Sequence, residues 1–218
     1  MRALPAILFA LATLGVQVDK PLLLKPDASQ FTAPAPERSV VTFDTSKGNI
    51  VIEVFRDWAP LGAARFVNLV RYGYYDDCRF FRVTAGRWVQ FGINGDPAIA
   101  TAWRNRTLTD DPFLKAHSNV RGTVAFAYAV PNGRTTQIFI NLRDNSETHD
   151  VAPGGPFAVM GRVIEGMDVA DKLTSEYGEG PGGIRAGHQD EYFSGGNAWL
   201  AGKFPNLDFI RRATVTPR

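Results

Sequence analysis

The sequence predicts a mainly β protein whose strands form a closed antiparallel barrel. Three observations support this fold class: many short apolar or alternating segments, turn residues between them, and only two well-separated helical patterns. The chain has 218 residues, of which 44% are hydrophobic and 21% are charged. These proportions are ordinary for a soluble globular protein. Without an N-terminal segment, roughly 180 residues remain, which suits one well-buried core better than two domains.

Composition argues against several classes of function. The net charge is only +2 and the two signs are interspersed, so we expect no nucleic-acid partner. The single cysteine, Cys78, allows no intrachain disulfide, and its apolar surroundings favour a small buried hydrophobe over a nucleophile. The three histidines lie far apart and lack the spacing of metal ligands. We therefore expect neither a metal nor a cofactor.

Residues 1–18 have the pattern of a signal peptide or an N-terminal anchor. Arg2 precedes an apolar run from Ala3 to about Leu14, which is short for a membrane span but typical of a signal-peptide core. The run Ala10-Leu11-Ala12 is a possible cleavage site, and an uncleaved membrane tether is the alternative. We therefore expect an exported protein, periplasmic or secreted, with no membrane span in its mature form.

Residues 19–38 hold four prolines without a period, and we interpret them as an extended linker. The domain then occupies 39–218. Its first element is a hairpin over 39–55, in which Lys47-Gly48-Asn49 makes the turn. The clearest helix follows over 59–75, with Pro60 near its start and Gly73 at its end. Its apolar residues recur at helical spacing: Ala63, Phe66, Val67 and Val70.

The rest of the domain reads mostly as strands. Strands are expected at 78–83, 87–92, 122–129, 136–142 and 157–164. Residues 93–119 are expected to form a long irregular loop. A second, shorter helix is expected over 165–178, then an inserted segment near 178–208 and a last strand at 210–215.

The two-residue period of the strands sorts the side chains by face. In 136–142 and 87–92 the apolar residues alternate inward: Ile138, Ile140, Leu142, Val89 and Phe91. Gln137, Phe139, Trp88 and Gln90 then point outward, beside Arg82. Two large aromatics, two amides and a cation on one face form either a binding surface or a second core covered by a loop.

The segment FFRVTAGRWVQFG, residues 80–92, resembles the pattern F-H-R-I-I-P-G-F-M-x-Q-x-G of cyclophilin-type peptidyl-prolyl cis-trans isomerases. AFAYAVPNGRTTQIFI, residues 125–140, is similar to a second block of that family, and residues 157–173 are similar to a third. The resemblance runs from about 40 to 176. An exported bacterial subgroup is also similar in the stretches VQFGINGDP and GNAWLAGKFPNLDFI.

The resemblance implies an eight-stranded cyclophilin-like barrel over 39–218, capped by two α-helices, with a substrate groove on its outer face. It also implies an isomerase that acts as a monomer on X-Pro bonds of proline-containing polypeptides and assists the folding of exported proteins. No covalent step, metal or cofactor is needed.

The same resemblance assigns roles to individual residues. Arg82 would donate a hydrogen bond to the prolyl nitrogen as that atom loses its conjugation, Gln90 would hold the substrate carbonyl, and Phe139 would form the floor of the proline pocket. Gln137 would support the neighbouring carbonyl. Backbone groups around Tyr128, with Ala127 and Ala129 on either side, would clamp the peptide as an added strand.

Several positions depart from the family pattern. Arg87 and Trp88 replace the pocket phenylalanine and methionine, so that Arg87 either extends outward along its aliphatic stem or obstructs the pocket. The family's pocket leucine falls near Ala152, in a lengthened loop. Phe157 and Phe81 each replace a histidine.

Two other functions remain open from the sequence. A weakly active or inactive binding module on the same fold would grip proline-containing peptides as a chaperone or scaffold, and Arg87 favours this alternative. A barrel that carries a small apolar ligand inside is opposed by the bulky inward side chains of the two strands.

Overall fold

The structure is a computed structural model that describes residues 18–178 and 189–218, so the signal-peptide or anchor prediction for residues 1–18 lies almost wholly outside the described residues. Within them, eight antiparallel strands form one sheet in the order β3-β4-β6-β5-β7-β2-β1-β8. Their bounds are β1 Arg38–Thr45, β2 Gly48–Phe55, β3 Arg82–Thr84, β4 Trp88–Phe91, β5 Thr123–Phe126, β6 Ile138–Asn141, β7 Val159–Glu165 and β8 Ile210–Pro217. The mainly β, eight-stranded prediction is confirmed.

The two edges of the sheet approach each other at one end. Residues just before β3 meet residues just before and at the start of β8: Arg79 and Phe209 form an isolated bridge, and the Phe80 amide donates to the Asp208 carbonyl at 2.9 Å. The Ile210 amide likewise donates to the Cys78 carbonyl at 2.9 Å. The sheet therefore curls, and its two edge strands, β3 and β8, approach each other at this end.

Six α-helices are present in the described ranges: α1 Lys20–Leu23, α2 Pro60–Arg71, α3 Pro97–Trp103, α4 Ser146–His149, α5 Met167–Asp171 and α6 Asp190–Lys203. The two predicted helices correspond to α2 and to a shortened α5. In α2, Pro60 occupies the first turn, where its missing N–H costs nothing. Gly73 leaves the helix with a φ of 77°, a left-handed conformation that glycine adopts without strain.

The core lies between α2 and the concave face of the sheet. Ala63, Phe66, Val67 and Val70, the predicted helical stripe, have no exposed surface. They pack with inward residues of the strands, including Phe43, Val89, Phe91, Ile138 and Ile140. The predicted inward face of β4 and β6 is therefore confirmed, which leaves their other face for the site.

Residues 19–38 are part of the domain, so the extended-linker prediction was wrong. Asp19 caps α1 by accepting a hydrogen bond from the Leu22 amide at 3.0 Å, and a 3-10 helix spans Ser29–Phe31. Leu23 and Phe31 are buried in the main core. The prolines prevent long regular elements in this segment. Its apolar side chains are nevertheless buried in the core, because burial is more favourable than the exposure that an extended linker would impose.

The stretch 93–119, predicted as irregular, contains α3. Asp96 supplies the N-cap, accepting from the Ala98 amide at 2.9 Å, and Pro97 begins the first turn. An aspartate followed by proline is a helix-start signal. The helix ends at Trp103, whose indole nitrogen donates to the Leu23 carbonyl at 2.8 Å.

Helix α6, in the inserted segment, packs against α3 and the strand end at Phe81. It contributes to a second apolar cluster, which consists of Phe81, Ile93, Ala100, Tyr192, Phe193, Leu200, Phe204 and Leu207. The helix is kinked at Gly196, where φ is 56° and ψ is −149°. This cluster joins the described part of the inserted segment to α3 and to the residue before β3.

Within residues 18–178 and 189–218, none of the helices combines the length and apolar character needed to cross a bilayer.

Candidate active site

Pairing of short strands places the predicted site residues side by side. Arg82 of β3 lies opposite Gln90 of β4, and Gln90 lies opposite Phe139 of β6. Phe139 in turn lies opposite Ala125 of β5. Because directly opposed residues share a face of the sheet, Arg82, Gln90 and Phe139 form one row across three strands on the outer surface.

Hydrogen bonds join the polar members of this row. Nη1 of Arg82 donates to Oε1 of Gln90 at 3.0 Å. Nε2 of Gln90 donates to Oε1 of Gln137 at 2.8 Å. We call Arg82, Gln90 and Gln137 the amide relay. Gln90 is only 5% exposed, so its amide is held in one orientation beside the groove.

An aromatic pocket adjoins the amide relay. The Phe139 ring lies 5.1 Å from the His149 ring and 5.2 Å from the Phe157 ring, centroid to centroid. Trp88 lies 5.3 Å from His149, and Tyr128 lies 4.8 Å from Phe157. These tilted and edge-to-face contacts are the geometries that aromatic pairs prefer. Phe139 is 4% exposed and lines this pocket.

His149 is the titratable residue of the pocket whose ordinary pKa lies near physiological pH. It ends the short helix α4, and its Nδ1 lies 3.1 Å from Oδ1 of Asn141. Burial, reinforced by the positive charge of Arg87, lowers the pKa of His149 from 6.5 to about 4. The ring is therefore neutral at physiological pH and can serve as an apolar wall.

The pocket and the relay open into one cavity of about 550 Å³. This volume lies within the range of about 300–1,000 Å³ that is usual for ligand sites. The lining residues are Arg82, Trp88, Gln90, Arg104, Asn105, Ala127, Tyr128, Ala129, Gly133, Thr135, Gln137, Phe139, His149, Phe157, Gln189, Asp190 and Phe193.

The geometry suits a short peptide that contains an apolar ring. One end of the cavity offers an aromatic floor and walls, and the adjacent strip offers amide and guanidinium donors. Side chains suited to metal binding do not cluster anywhere in the described ranges.

Comparison with known proteins decides the family. The family described as cyclophilin type peptidyl-prolyl cis-trans isomerase/CLD matches residues 40–185, which is more than half of the chain. The chain belongs to the cyclophilin-type isomerases.

Curated relatives agree with this assignment. A peptidyl-prolyl cis-trans isomerase of Acinetobacter baylyi is 34% identical over 157 residues, covering 68% of this chain and 80% of the relative. Peptidyl-prolyl cis-trans isomerase B of Escherichia coli is 34% identical over 142 residues, covering 62% of this chain and 83% of the relative. The isomerase cyp18 of Streptomyces antibioticus is 36% identical over 160 residues, covering 70% of this chain and 90% of the relative.

Solved structures show the same fold. A cyclophilin-type isomerase of Cryptosporidium parvum superposes with a TM-score of 0.60 at 18% identity, covering 83% of this chain and 99% of the other. A second crystal structure of that protein, obtained in the presence of the dipeptide Ala-Pro, has a TM-score of 0.58 at 19% identity, covering 82% of this chain and 99% of the other. The narrower assignment to an exported bacterial subgroup stays a prediction.

Most residues predicted from the cyclophilin pattern line the cavity. They are Arg82, Gln90, Phe139, Gln137, Trp88, Ala127, Tyr128, Ala129 and Phe157. Tyr128 also braces the loop beneath it, because its hydroxyl donates to the Pro156 carbonyl at 2.7 Å. Their individual roles remain predictions.

The residues that line the cavity do not include Arg87 or Ala152, and the predicted contacts of these two residues with substrate stay predictions. The Arg87 guanidinium lies over the Trp88 ring, 4.5 Å from its centroid. Ala152 is displaced because the lengthened loop first forms α4. This helix delivers His149 to the wall where the pattern suggested Ala152.

Sequence reasoning missed eight lining residues of the groove: Arg104, Asn105, Gly133, Thr135, His149, Gln189, Asp190 and Phe193. Arg104 follows α3, which the Asp96-Pro97 signal could have revealed. Gln189, Asp190 and Phe193 belong to the inserted segment, and no local pattern connects them with residues in β4 and β6. His149 lies on a four-residue helix that is too short to show a period.

Proposed function

We propose that this protein is a peptidyl-prolyl cis-trans isomerase that binds proline-containing segments as a monomer and accelerates rotation about X-Pro bonds. One observation carries the proposal: an arginine that donates to a buried glutamine lies in the same row as the floor of an aromatic pocket. This arrangement provides donors for both ends of a twisting amide and an apolar seat for the proline ring.

The chemistry follows from the barrier. Rotation about the X-Pro bond costs about 18–20 kcal/mol because amide conjugation must be broken. At the top of the barrier the prolyl nitrogen is pyramidal and carries a free lone pair. A donor directed at that nitrogen stabilises the transition state more than the ground state, as catalysis requires.

Arg82 is the donor in this proposal. Its planar guanidinium presents several N–H donors, and its bond to Gln90 holds it beside the pocket. Gln90 Nε2 uses one of its two hydrogens on Gln137, and the second can bind the carbonyl oxygen of the rotating bond. The proline ring would sit on Phe139, and Gln137 would support the carbonyl next to it.

The binding-module alternative rests on a second cation that would obstruct the pocket. The Arg87 guanidinium lies 4.5 Å from the centroid of the Trp88 ring, and Arg87 is not among the residues that line the cavity, which supports the isomerase over that alternative. Trp88 itself lines the cavity, so the altered wall is still aromatic.

We further propose that the substrates are exported proteins. Support comes from the sequence alone, where Arg2 precedes a short apolar run of signal-peptide type. The N-terminal residue and cellular compartment of the protein, determined after expression in a bacterium, test this part. An intact N-terminus in the cytoplasm would contradict it.

The isomerase proposal is tested by the cis-to-trans rate of a short Ala-Pro or Phe-Pro reporter peptide. We expect acceleration by the native protein, and a fall of about 10- to 100-fold in Arg82→Ala, since one charged hydrogen bond is worth about 1.5–3 kcal/mol. Arg71→Ala removes an exposed arginine at the end of α2 and serves as the matched control. Equal rates in the two variants would contradict the role of Arg82, and peptide binding without acceleration would support the binding module.

A further inference from the structure

Gln189, in the inserted segment, lengthens the amide relay by one member. Nε2 of Gln137 donates to Oε1 of Gln189 at 2.9 Å, and Nε2 of Gln189 donates back to Oε1 of Gln137 at 3.3 Å. The two side chains therefore form a reciprocal amide pair. Through this pair Gln189, which lies more than 50 positions beyond Gln137 in the sequence, is connected to the row of site residues on β3, β4 and β6.

The relay has a direction that begins at Arg82. A guanidinium can only donate, so Gln90 presents its oxygen to Arg82 and its nitrogen to Gln137. Gln137 must then present its oxygen to Gln90, and its nitrogen is left facing Gln189. Without Gln189, the Gln137 amide would be held from one side only.

The reciprocal pair leaves the substrate contact available. An amide NH2 group has two hydrogens, and Gln137 uses one of them on Gln189. The second can bind a substrate carbonyl. Gln189 therefore fixes the plane of the Gln137 amide and does not exhaust its donors.

Gln189 is itself held firmly. It precedes α6 at the N-cap position, but its side chain makes no capping hydrogen bond and turns to the groove. It is 9% exposed. The first turn of α6 is anchored by Tyr192, whose hydroxyl donates to the Ile93 carbonyl at 2.9 Å and whose ring meets Phe81 at 5.7 Å.

We propose that Gln189 is a positioning residue of the isomerase, which orients the Gln137 amide toward the peptide carbonyl next to the rotating bond. The inserted segment is thereby part of the active site of this cyclophilin. The inference rests on the proposed function of the groove. It assigns to α6 a specific task beyond covering the end of the barrel.

The kinetic signature follows from what Gln137 touches. The carbonyl next to the rotating bond does not change during rotation, so a misoriented Gln137 weakens ground state and transition state alike. Such a loss raises KM and leaves kcat unchanged. Loss of the one neutral hydrogen bond from Gln137 to the peptide carbonyl corresponds to about a 2- to 12-fold rise in KM.

The test uses Gln189→Met, which keeps the length of the side chain and removes both hydrogen bonds. Glu191→Met places the same side chain at an exposed position of the same helical turn and is the matched control. We expect the rise in KM in the first variant only. An unchanged KM, a lowered KM, or a fall confined to kcat in Gln189→Met would overturn the proposal.

A double-mutant cycle separates orientation from packing. In the background Gln137→Met, Gln189→Met should have no further effect, because its partner is already absent. If it raises KM by the same factor there, Gln189 acts through the helix and the proposal is wrong.

The rate measured with the native protein tests the proposed isomerase function separately from the role of Gln189. A native protein that does not accelerate the reporter peptide contradicts the isomerase, whatever the variants do. The inference is then decided by titration with the same peptide: weaker binding to Gln189→Met than to Glu191→Met supports it, and equal binding overturns it.

Discussion

His149 should make the stability of the protein fall as the pH is lowered from about 6.5 to 4. The pKa of His149 is about 4 in the folded protein, compared with 6.5 ordinarily. Between these values the unfolded chain binds a proton that the folded protein does not, so acid favours unfolding. The loss begins near pH 6.5 and is complete near pH 4.

The magnitude can be worked out for the interval from pH 7.5 to 5.0. A pKa shift from 6.5 to about 4 corresponds to about 3.4 kcal/mol in full, of which about 2 kcal/mol is lost between pH 7.5 and pH 5.0. The ring is partly exposed, and solvent screening reduces this to about 1 kcal/mol. Arg87, Arg82 and Arg143 oppose protonation, while Asp150 favours it, so the net direction is set by burial and the arginines.

Urea unfolding of the native protein and of His149→Phe at pH 7.5 and 5.0 measures this effect. Carboxylates titrate equally in both proteins, so the difference between the two pH dependences isolates His149. We expect the native midpoint to fall by about 0.3–1 M more than that of the variant. Identical pH dependences would refute the buried, neutral histidine.

Two further variants test the fold that supports the site. Phe31→Ala should lower the free energy of unfolding, measured in urea, by about 3–5 kcal/mol, because Phe31 is 2% exposed and its ring lies 4.7 Å from that of Trp103. Its control, Leu24→Ala at an exposed position, should change that free energy by less than about 0.5 kcal/mol. Equal small effects of the two variants would restore the linker interpretation. Gly196→Ala should destabilise the protein by about 2 kcal/mol or more, because its Cβ would lie 2.2 Å from the Gly95 carbonyl at a φ of 56°. Gly202→Ala, where a Cβ meets nothing within 4 Å, is its control, and a neutral Gly196→Ala would contradict the tight contact between α6 and residue 95.

The parts of the site that the sequence predicts are those carried by local periodicity. Alternation in β4 and β6 separates Gln90 and Phe139 from the core residues beside them, and cross-strand pairing then brings them together. The same logic places Pro60 at the start of α2. Both inferences need only neighbours within a few residues.

The parts that escaped prediction depend on contacts between distant segments. Residues 19–38 fold because Leu23 and Phe31 find a pocket made by the main domain, and the prolines alone suggested the opposite. Gln189 reaches Gln137 only because Tyr192 and its neighbours anchor α6 to residues near β3 and β4. The period of the apolar residues carries no information about such contacts between distant segments. The one clue in the sequence is Phe81, which contacts α6 and stands where the family has a histidine.

The height of the rotational barrier explains why the site needs both a donor and a stiff pocket. In the proposed mechanism a charged hydrogen bond from Arg82 would supply about 1.5–3 kcal/mol, which corresponds to a factor of about 10 to 100 in rate. Further acceleration requires that the proline ring stay still while the acyl side turns, because a pocket that moves with its ligand does not favour the twisted state. Phe139 is buried between His149 and Phe157, and the neutral form of His149 keeps that wall apolar. In the proposed mechanism the hydrogen bonds that join Arg82, Gln90 and Gln137 would hold the donors still, so that the X-Pro amide would be the most easily deformed element of the complex and twisting would be concentrated there.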